Sequence, residues 1–171
     1  MPEFSVNTER FDPYKNFKFR VKWDGKYVPG IFRVHGFMRR TLTKKLPTPE
    51  RQPFRYAAGR TTFDPIILVR GRTHDTEFEQ WANQIWQVDA DPNEEPTEYK
   101  KNITVELYNE AGQLAIAYNV FNCWPIRYNP LGKLDANDTE IATETLVLIH
   151  EGWERDKNVG EPSEPSFTEP P

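Results

Sequence analysis

The side chains best suited to chemistry in this chain are few and widely spaced. His74, Asp75 and Glu77 stand close together, and imidazole and carboxylate groups are common ligands for metal ions. The other two histidines, His35 and His150, are distant in the sequence and add no metal-binding spacing. We therefore interpret the triplet as the solvent-exposed start of a helix rather than as a metal site.

A second acidic segment, residues 135–138, begins like a calcium-binding loop. Such a loop needs a glycine at its sixth position and a bidentate glutamate at its twelfth. Glu140 and Leu146 occupy those two positions here. The segment is therefore interpreted as a polar turn, and we predict no metal site in the chain.

Nucleophiles are equally scarce. Cys123 is the only cysteine, which excludes an intrachain disulfide and a cysteine-based zinc cluster, and its place beside Trp124 is typical of a small core residue. The three serines, Ser5, Ser163 and Ser166, fall near the two ends, and the chain has no glycine-rich phosphate-binding loop. We predict no catalytic residue, no cofactor and no enzymatic activity.

The spacing of apolar residues predicts mostly strands. Residues 16–23 alternate between apolar and basic side chains, which indicates a half-buried strand, and Asp24-Gly25 indicates a tight hairpin turn after it. Period-two patterns and β-branched residues predict further strands. These cover residues 27–28 with 31–34, 39–45, 65–69, 102–108, 113–121 continuing through 122–128, and 140–149.

One segment has the period of a helix. Its apolar residues recur at helical spacing and predict a single buried stripe; they are Phe78, Trp81, Ala82, Ile85 and Trp86. Acidic residues crowd the first turns, where negative charge suits the helix dipole, and Thr73 or Thr76 is the predicted cap. Seven or eight strands with one helix predict a mainly β fold: an antiparallel β-barrel or sandwich with one flanking α-helix.

A long loop is predicted over residues 46–59. It contains three prolines, and loops of this length inside a compact domain are usually functional or mobile. Its basic and aromatic residues, Arg51, Phe54, Arg55 and Tyr56, suggest an arm that lies on a partner.

The length of 171 residues fits one domain, predicted over residues 13–156. Residues 1–12 are predicted to be a flexible N-terminus, and residues 157–171, with four prolines and three glutamates, a disordered acidic tail. No apolar run reaches the length of a membrane span or forms the core of a secretory signal. We therefore expect no stable membrane insertion.

Charge is distributed unevenly along the chain. Residues 1–72 carry a net charge of +10 and residues 73–171 carry −14, although the whole chain carries only −4. The split favours a subunit whose basic surface meets the acidic surface of a neighbour, unless both halves mix in one fold. The rival interpretation is a binding module for nucleic acid or for an acidic protein. However, the basic face of the first strand lies opposite its aromatic face, whereas single-stranded binding needs both on one face.

Several blocks together resemble the tail-tube (inner tube) protein family of contractile phage tails and phage-tail-like contractile injection systems. The matching stretches are DPYKNFKFRVKWDGKYV, GRTTFDPIILVRGRTHDTEFEQWANQIW, ITVELYNEAGQLAIAYNVFNCWP and EGWERD, and they span about residues 12–156. The strand, the RG turn, the THD triplet and the acidic-then-tryptophan helix together form a specific combination.

The resemblance implies a subunit that forms six-membered rings stacked into a hollow tube, without enzymatic activity or cofactor. Its implied partners are further copies of itself, a contractile sheath protein, baseplate or spike proteins, tube-terminating proteins and cargo in the lumen. The subunit would assemble in the cytoplasm and belong to a phage tail or to an extracellular or intracellular injection particle. Nucleic acid would enter only as a passenger in the lumen.

Two departures from the family pattern leave an alternative open. Residues 46–58 lack the glycines usual in the long loop, and the acidic tail is an addition. The chain could therefore be a specialised tube-end paralogue, an initiator or a terminator. Residues predicted to lie at subunit contacts come from the basic strand, the long loop, the RG turn and the helix start; they are Arg39, Arg40, Lys44, Lys45, Arg51, Phe54, Arg55, Tyr56, Arg70, Arg72, Asp75 and Glu77.

Overall fold

The computed structural model describes residues 13–47, 55–88 and 99–163. The predictions made for residues 1–12, Arg51 and Phe54 lie outside these ranges, as does most of the acidic tail. Ten strands and one helix occur in the described ranges: β1 Phe19–Trp23, β2 Lys26–Tyr27, β3 Ile31–His35, β4 Arg39–Leu46, β5 Arg55–Phe63, β6 Ile66–Gly71, α1 Glu77–Val88, β7 Lys101–Tyr108, β8 Leu114–Asn129, β9 Thr143–Ile149 and β10 Trp153–Arg155.

The first hairpin forms where the sequence predicts it. Val21 and Trp23 of β1 are buried, and Asp24 and Gly25 have φ values of 51° and 73°, the left-handed backbone that a two-residue turn requires. The strand begins at Phe19 rather than at residue 16. Phe17 is 64% exposed, so the predicted apolar face is shorter than its sequence pattern.

Strand β8 organises the sheet because its sixteen residues span two halves of it. Its first half pairs with β7 and its second half with β9, and Asn122, with a φ of 50°, lies between the two. The strand order is β2-β1-β7-β8-β9-β6-β3, and β10 also pairs with β8. All of these pairings are antiparallel, which confirms the predicted fold class.

The segment after the first turn is shared between the two halves of the sheet. Strand β2 pairs with β1, but β3 pairs with β6 at the far end of the strand order. Pro29 and Gly30 separate the two strands, because proline donates no ladder hydrogen bond and Gly30 has a φ of 80°. Pro29-Gly30 is therefore the point where the chain crosses from one half of the sheet to the other.

The helix covers the core with aromatic side chains. Trp23 lies 5.9 Å from Phe78 and 5.1 Å from Trp81 between ring centroids, and all three are buried. Trp81 also donates its indole N–H to the carbonyl oxygen of Tyr99 at 2.7 Å. Trp86 is 80% exposed, so its predicted place in the buried stripe is wrong. Phe78 and Trp81 form the buried part of the stripe, and Ala82 and Ile85 are half-buried.

The strand register gives one half of the sheet two distinct ends. At the first, Gly71 pairs with Thr143 and the chain continues into α1; we call this the helix end. At the other, Ile66 pairs with Leu148, and the chain enters from β5; we call this the hairpin end. At about 3.3 Å per residue, β6 separates the two ends by roughly 17 Å.

Candidate subunit interface

Strands β4 and β5 form a separate two-stranded hairpin that projects from the hairpin end. They pair only with each other, from Arg39↔Phe63 to Leu46↔Arg55, and every residue of β4 is exposed. The predicted loop over residues 46–59 is therefore wrong in part, because residues 55–59 belong to β5. Thr41 and Thr43 favour extended backbone, and the Thr41 and Thr61 hydroxyls meet across the ribbon at 2.8 Å.

The hairpin is strongly basic. Its described strands carry six basic residues and no acidic one: Arg39, Arg40, Lys44, Lys45, Arg55 and Arg60. Large apolar side chains are exposed among them, with Leu42 at 56% and Tyr56 at 65%. Exposed charge and apolar area on a ribbon with two open edges are typical of a surface that another chain covers.

An aromatic cluster holds the base of the hairpin. Trp153 of β10 packs edge-on against Phe63 with centroids 5.9 Å apart, and the guanidinium of Arg39 lies 5.8 Å from the Trp153 ring. His150 Nε2 lies 2.9 Å from the carbonyl oxygen of Asp64, in hydrogen-bonding distance. The hairpin therefore leaves the domain in a defined direction.

A glycine makes the entry to the hairpin possible. Gly36 has a φ of 103°, and a Cβ atom there would lie 2.1 Å from the carbonyl oxygen of Pro65. No other residue allows this approach between the chain entering β4 and the chain leaving β5. A cleft of about 720 Å³ lies beside this crossing, with Phe37, Ile67 and Val147 among its lining residues.

Arg70 does not face a neighbour as predicted. It is 1% exposed, and its Nε donates to Glu144, which is also buried. Its side chain lies over the Phe78 ring, 4.0 Å from the centroid, and its Nη1 reaches Asp75 Oδ2 at 3.2 Å. Strand alternation places Arg70 on the inner side with Leu68, and this is why its charge is directed into the subunit.

Arg72 lies beside the ion pair of Arg70 and Glu144 and is partly exposed. Its Nη1 donates to Glu144 Oε2 at 2.7 Å and to the Tyr128 hydroxyl at 3.1 Å, and these hydrogen bonds raise the pKa of Arg72. Burial and the bond from its hydroxyl to Glu144 raise the pKa of Tyr128 in turn. Glu144 therefore joins β6, β8 and β9 at the helix end through three donors.

The acidic residues at the helix start are used within the subunit. Asp75 Oδ1 accepts the backbone N–H of Glu77 at 2.9 Å, so Asp75 caps the helix, and Thr73 accepts the N–H of Asp75 at 3.2 Å. Glu77 accepts the indole N–H of Trp23 at 2.8 Å. Asp75 and Glu77 therefore have few free acceptor positions left for the subunit contact that was predicted for them.

The structure also presents a surface that the sequence reasoning did not select. Residues 130–142 connect β8 to β9 at the helix end, and Leu131, Leu134 and Ile141 are 48%, 67% and 69% exposed there. Asp135, Asp138 and Glu140 are exposed on the same segment. Leu131 and Leu134, which precede the segment interpreted as a polar turn, were the available signal. Ile141 was predicted to lie in a strand over residues 140–149, but that strand begins only at Thr143.

Part of the basic face of β1 is engaged within the subunit. Lys22 donates to Glu106 at 3.1 Å, and Tyr27 and Tyr108 donate to the same carboxylate at 2.9 Å and 2.5 Å. Burial raises the pKa of Glu106, but these three hydrogen bonds outweigh it and hold the pKa below its ordinary value. Arg20 stacks over the rings of both tyrosines.

The side chains considered for chemistry are dispersed. Cys123 is fully buried, and burial raises the pKa of its thiol to about 12. Across the described ranges, no group of three or more histidine, cysteine or carboxylate side chains is arranged to hold a metal ion. None of the helical residues described forms a helix long and apolar enough to cross a membrane.

Residues 15–154 match the family model of the T4-like virus tail tube protein gp19. The chain belongs to this tail tube protein family. The match covers most of the sequence and includes both the hairpin and the helix end. No curated protein sequence matches the chain significantly.

Solved tube structures share the fold of this tail tube protein. A chain of the extracellular contractile injection system PVC, in its extended sheath-tube complex, superposes with a TM-score of 0.67 at 22% identity, over 84% of this chain and 91% of that one. A chain of the anti-feeding prophage tube-terminating cap gives 0.71 at 20% identity, over 91% and 99%. Hcp1 from Flavobacterium johnsoniae gives 0.55 at 16% identity, over 86% and 100%.

Proposed function

We propose that this tail tube protein is the structural subunit of the inner tube of a contractile phage-tail-like particle. Six copies close into a ring, rings stack around a hollow lumen, and a contractile sheath surrounds the tube. The subunit acts without catalysis, and its copies assemble in the cytoplasm. Baseplate or spike proteins bind one end of the tube and a terminating protein binds the other.

The projecting hairpin is the observation that carries this proposal. It contributes no buried residue to its own domain, yet its base is fixed by Trp153, Phe63 and Arg39. A basic and partly apolar ribbon held in one direction is suited to contact a second subunit. A head-to-tail contact of this kind closes into rings or repeats as a stack.

The test is the oligomeric state of the purified chain. Sedimentation velocity and negative-stain electron microscopy over a range of concentrations should reveal rings or tubes, with tubes promoted by the matching baseplate complex. A chain that stays monomeric at every concentration, with and without that complex, would contradict the proposal.

A tube-end role is the second candidate for this chain. The fold matches a chain in a tube-terminating cap structure as well as a chain in a sheath-tube complex. Gold labelling of an epitope on purified particles separates the two roles. Label along contracted, exposed tubes supports the main subunit, whereas label confined to one end supports the paralogue.

Nucleic-acid binding remains the weaker alternative. Lys18 donates to the carbonyl oxygen of Glu110 at 2.6 Å, and Lys22 is paired with Glu106, so part of the basic strand face is already engaged. A titration with a single-stranded oligonucleotide in rising salt tests the alternative. Tight binding that weakens steeply with salt would favour it.

A further inference from the structure

The two ends of the described sheet carry complementary surfaces. The hairpin end bears the basic β4–β5 ribbon, with exposed Leu42, Leu46 and Tyr56. The helix end bears residues 130–142, which we call the acidic loop, with a net charge of −2 and three exposed apolar side chains. Charge and apolar character therefore match at opposite ends of one subunit.

Backbone and side-chain hydrogen bonds hold the acidic loop in a defined conformation. Its ends are fixed by hydrogen bonds from Gly132 N to Thr143 O at 2.8 Å and from Arg72 N to Ala142 O at 2.9 Å. Within it, Asp135 Oδ1 accepts the N–H of Asn137 at 3.0 Å, a local turn bond. A preformed loop loses less conformational entropy when a partner covers it.

The other acids at the helix end are already engaged. Asp75 pairs with Arg70, Glu77 accepts from Trp23, and Glu144 is fully buried under its three donors. Glu140, in contrast, is exposed and lies beside Ile141, the most exposed apolar residue of the loop. Asp135 and Asp138 lie 3.4 Å and 3.6 Å from the ammonium group of Lys133 within the loop. Glu140 and the three exposed apolar side chains are therefore the part of this end that is available to a partner.

We propose that the acidic loop of one copy is the docking site for the basic hairpin of the next copy in the stack. This rests on the proposed tube function and names the two surfaces that join successive rings. The hairpin leaves the end of the sheet opposite the loop, about 17 Å away along β6, so the contact forms between copies. The same contact repeated head to tail builds a column without limit.

A charge exchange between the two surfaces tests the pairing. The loop variant carries Asp135→Asn, Asp138→Asn and Glu140→Lys, which shifts the net charge by +4 and keeps side-chain acceptors for the local turns. The hairpin variant changes four exposed basic residues to glutamate, a shift of −8 that takes the described strands from +6 to −2: Arg40→Glu, Lys44→Glu, Arg55→Glu and Arg60→Glu. Each variant should raise the critical concentration for tube assembly roughly tenfold or more, because docked charges of like sign then oppose each other.

The combined variant is the decisive sample, because it restores opposite charges across the contact. Its critical concentration should return towards that of the wild type. A control with Glu154→Lys and Glu161→Lys has the same +4 shift as the loop variant, on exposed residues that belong to neither the loop nor the hairpin, and should assemble normally. Circular dichroism melting of each variant confirms that the monomer is folded.

The outcomes separate this inference from the proposed function. The docking site is supported if the wild type forms tubes, the loop variant assembles poorly, and the combined variant assembles again. Tubes from the wild type and from the folded loop variant alike, or a combination worse than either variant, overturn it and leave the tube function standing. A wild type that never assembles overturns both.

Discussion

Arg70 and Glu144 form an ion pair in the interior, between neighbouring strands β6 and β9, with both side chains essentially inaccessible to solvent. Charges are costly to remove from water, and the cost is offset only when each remaining donor and acceptor is satisfied. Here Arg72 and Tyr128 donate hydrogen bonds to the second oxygen of the Glu144 carboxylate, and the Phe78 ring lies beneath the Arg70 guanidinium. The pair therefore fixes the helix against the sheet at the helix end.

Breaking this pair should destabilise the subunit strongly. Glu144→Gln removes the buried carboxylate and leaves the Arg70 guanidinium with only the more exposed Asp75 as an ionic partner. Loss of one partner of a buried pair costs about 3–5 kcal/mol. Urea unfolding measured by tryptophan fluorescence gives the free energy of unfolding. Glu154→Gln, on exposed β10, is the matched control and should change it by less than about 0.5 kcal/mol. A Glu144→Gln loss as small as the control would contradict the account of the pair.

The two helix tryptophans should respond differently to truncation. Trp81→Ala removes a ring that packs on Trp23 and should cost about 3–5 kcal/mol of unfolding free energy. Trp86→Ala removes a ring that is 80% exposed and should change it by no more than about 0.5 kcal/mol. Thermal melts of the two variants side by side measure the difference. Equal losses would place Trp86 in the core after all.

Acid should destabilise the subunit through Glu106. Burial alone would raise its pKa, but the bonds from Tyr108, Tyr27 and Lys22 lower it below the ordinary value. A carboxylate with a lowered pKa stabilises the folded state above its unfolded-state pKa, about 4.3, and loses this stabilisation as the pH falls through the folded-state pKa. Glu106→Gln should reduce stability at pH 7 and flatten the decline below about pH 5. An unchanged acid slope in unfolding experiments at stepped pH would contradict this.

The Cys123 thiol should report unfolding of the whole subunit. It is the only cysteine in the chain, it is fully buried, and burial raises its pKa to about 12, so the reactive thiolate is scarce at neutral pH. Labelling with an aromatic disulfide reagent should be slow in buffer and complete in urea, and its midpoint should coincide with that from fluorescence. Rapid labelling of the folded subunit would show that the thiol is accessible.

Most of the strands and the core could be predicted from local patterns in the sequence. The alternation before Trp23, the Asp24-Gly25 turn and the apolar residues around Phe78 are all properties of short segments, and the structure agrees with them. Burial of Cys123 was equally predictable, since a small apolar residue beside a tryptophan in a strand belongs in a core.

Other features depended on long-range pairing. Residues 55–59 were predicted as loop because prolines precede them, yet their pairing with β4 makes them strand. The inward side of Arg70 follows from the register of β6 with β9, which no single segment reveals. Both ends of the sheet, and hence the acidic loop opposite the hairpin, become visible only after the strands are paired.

A helical cryo-electron microscopy reconstruction of tubes assembled from this chain tests the central claim most directly. We expect six subunits in each ring, a continuous lumen, and the β4–β5 hairpin of each subunit buried against the next ring. Closed assemblies in which the hairpin faces solvent on every copy, or filaments without a lumen, would contradict it.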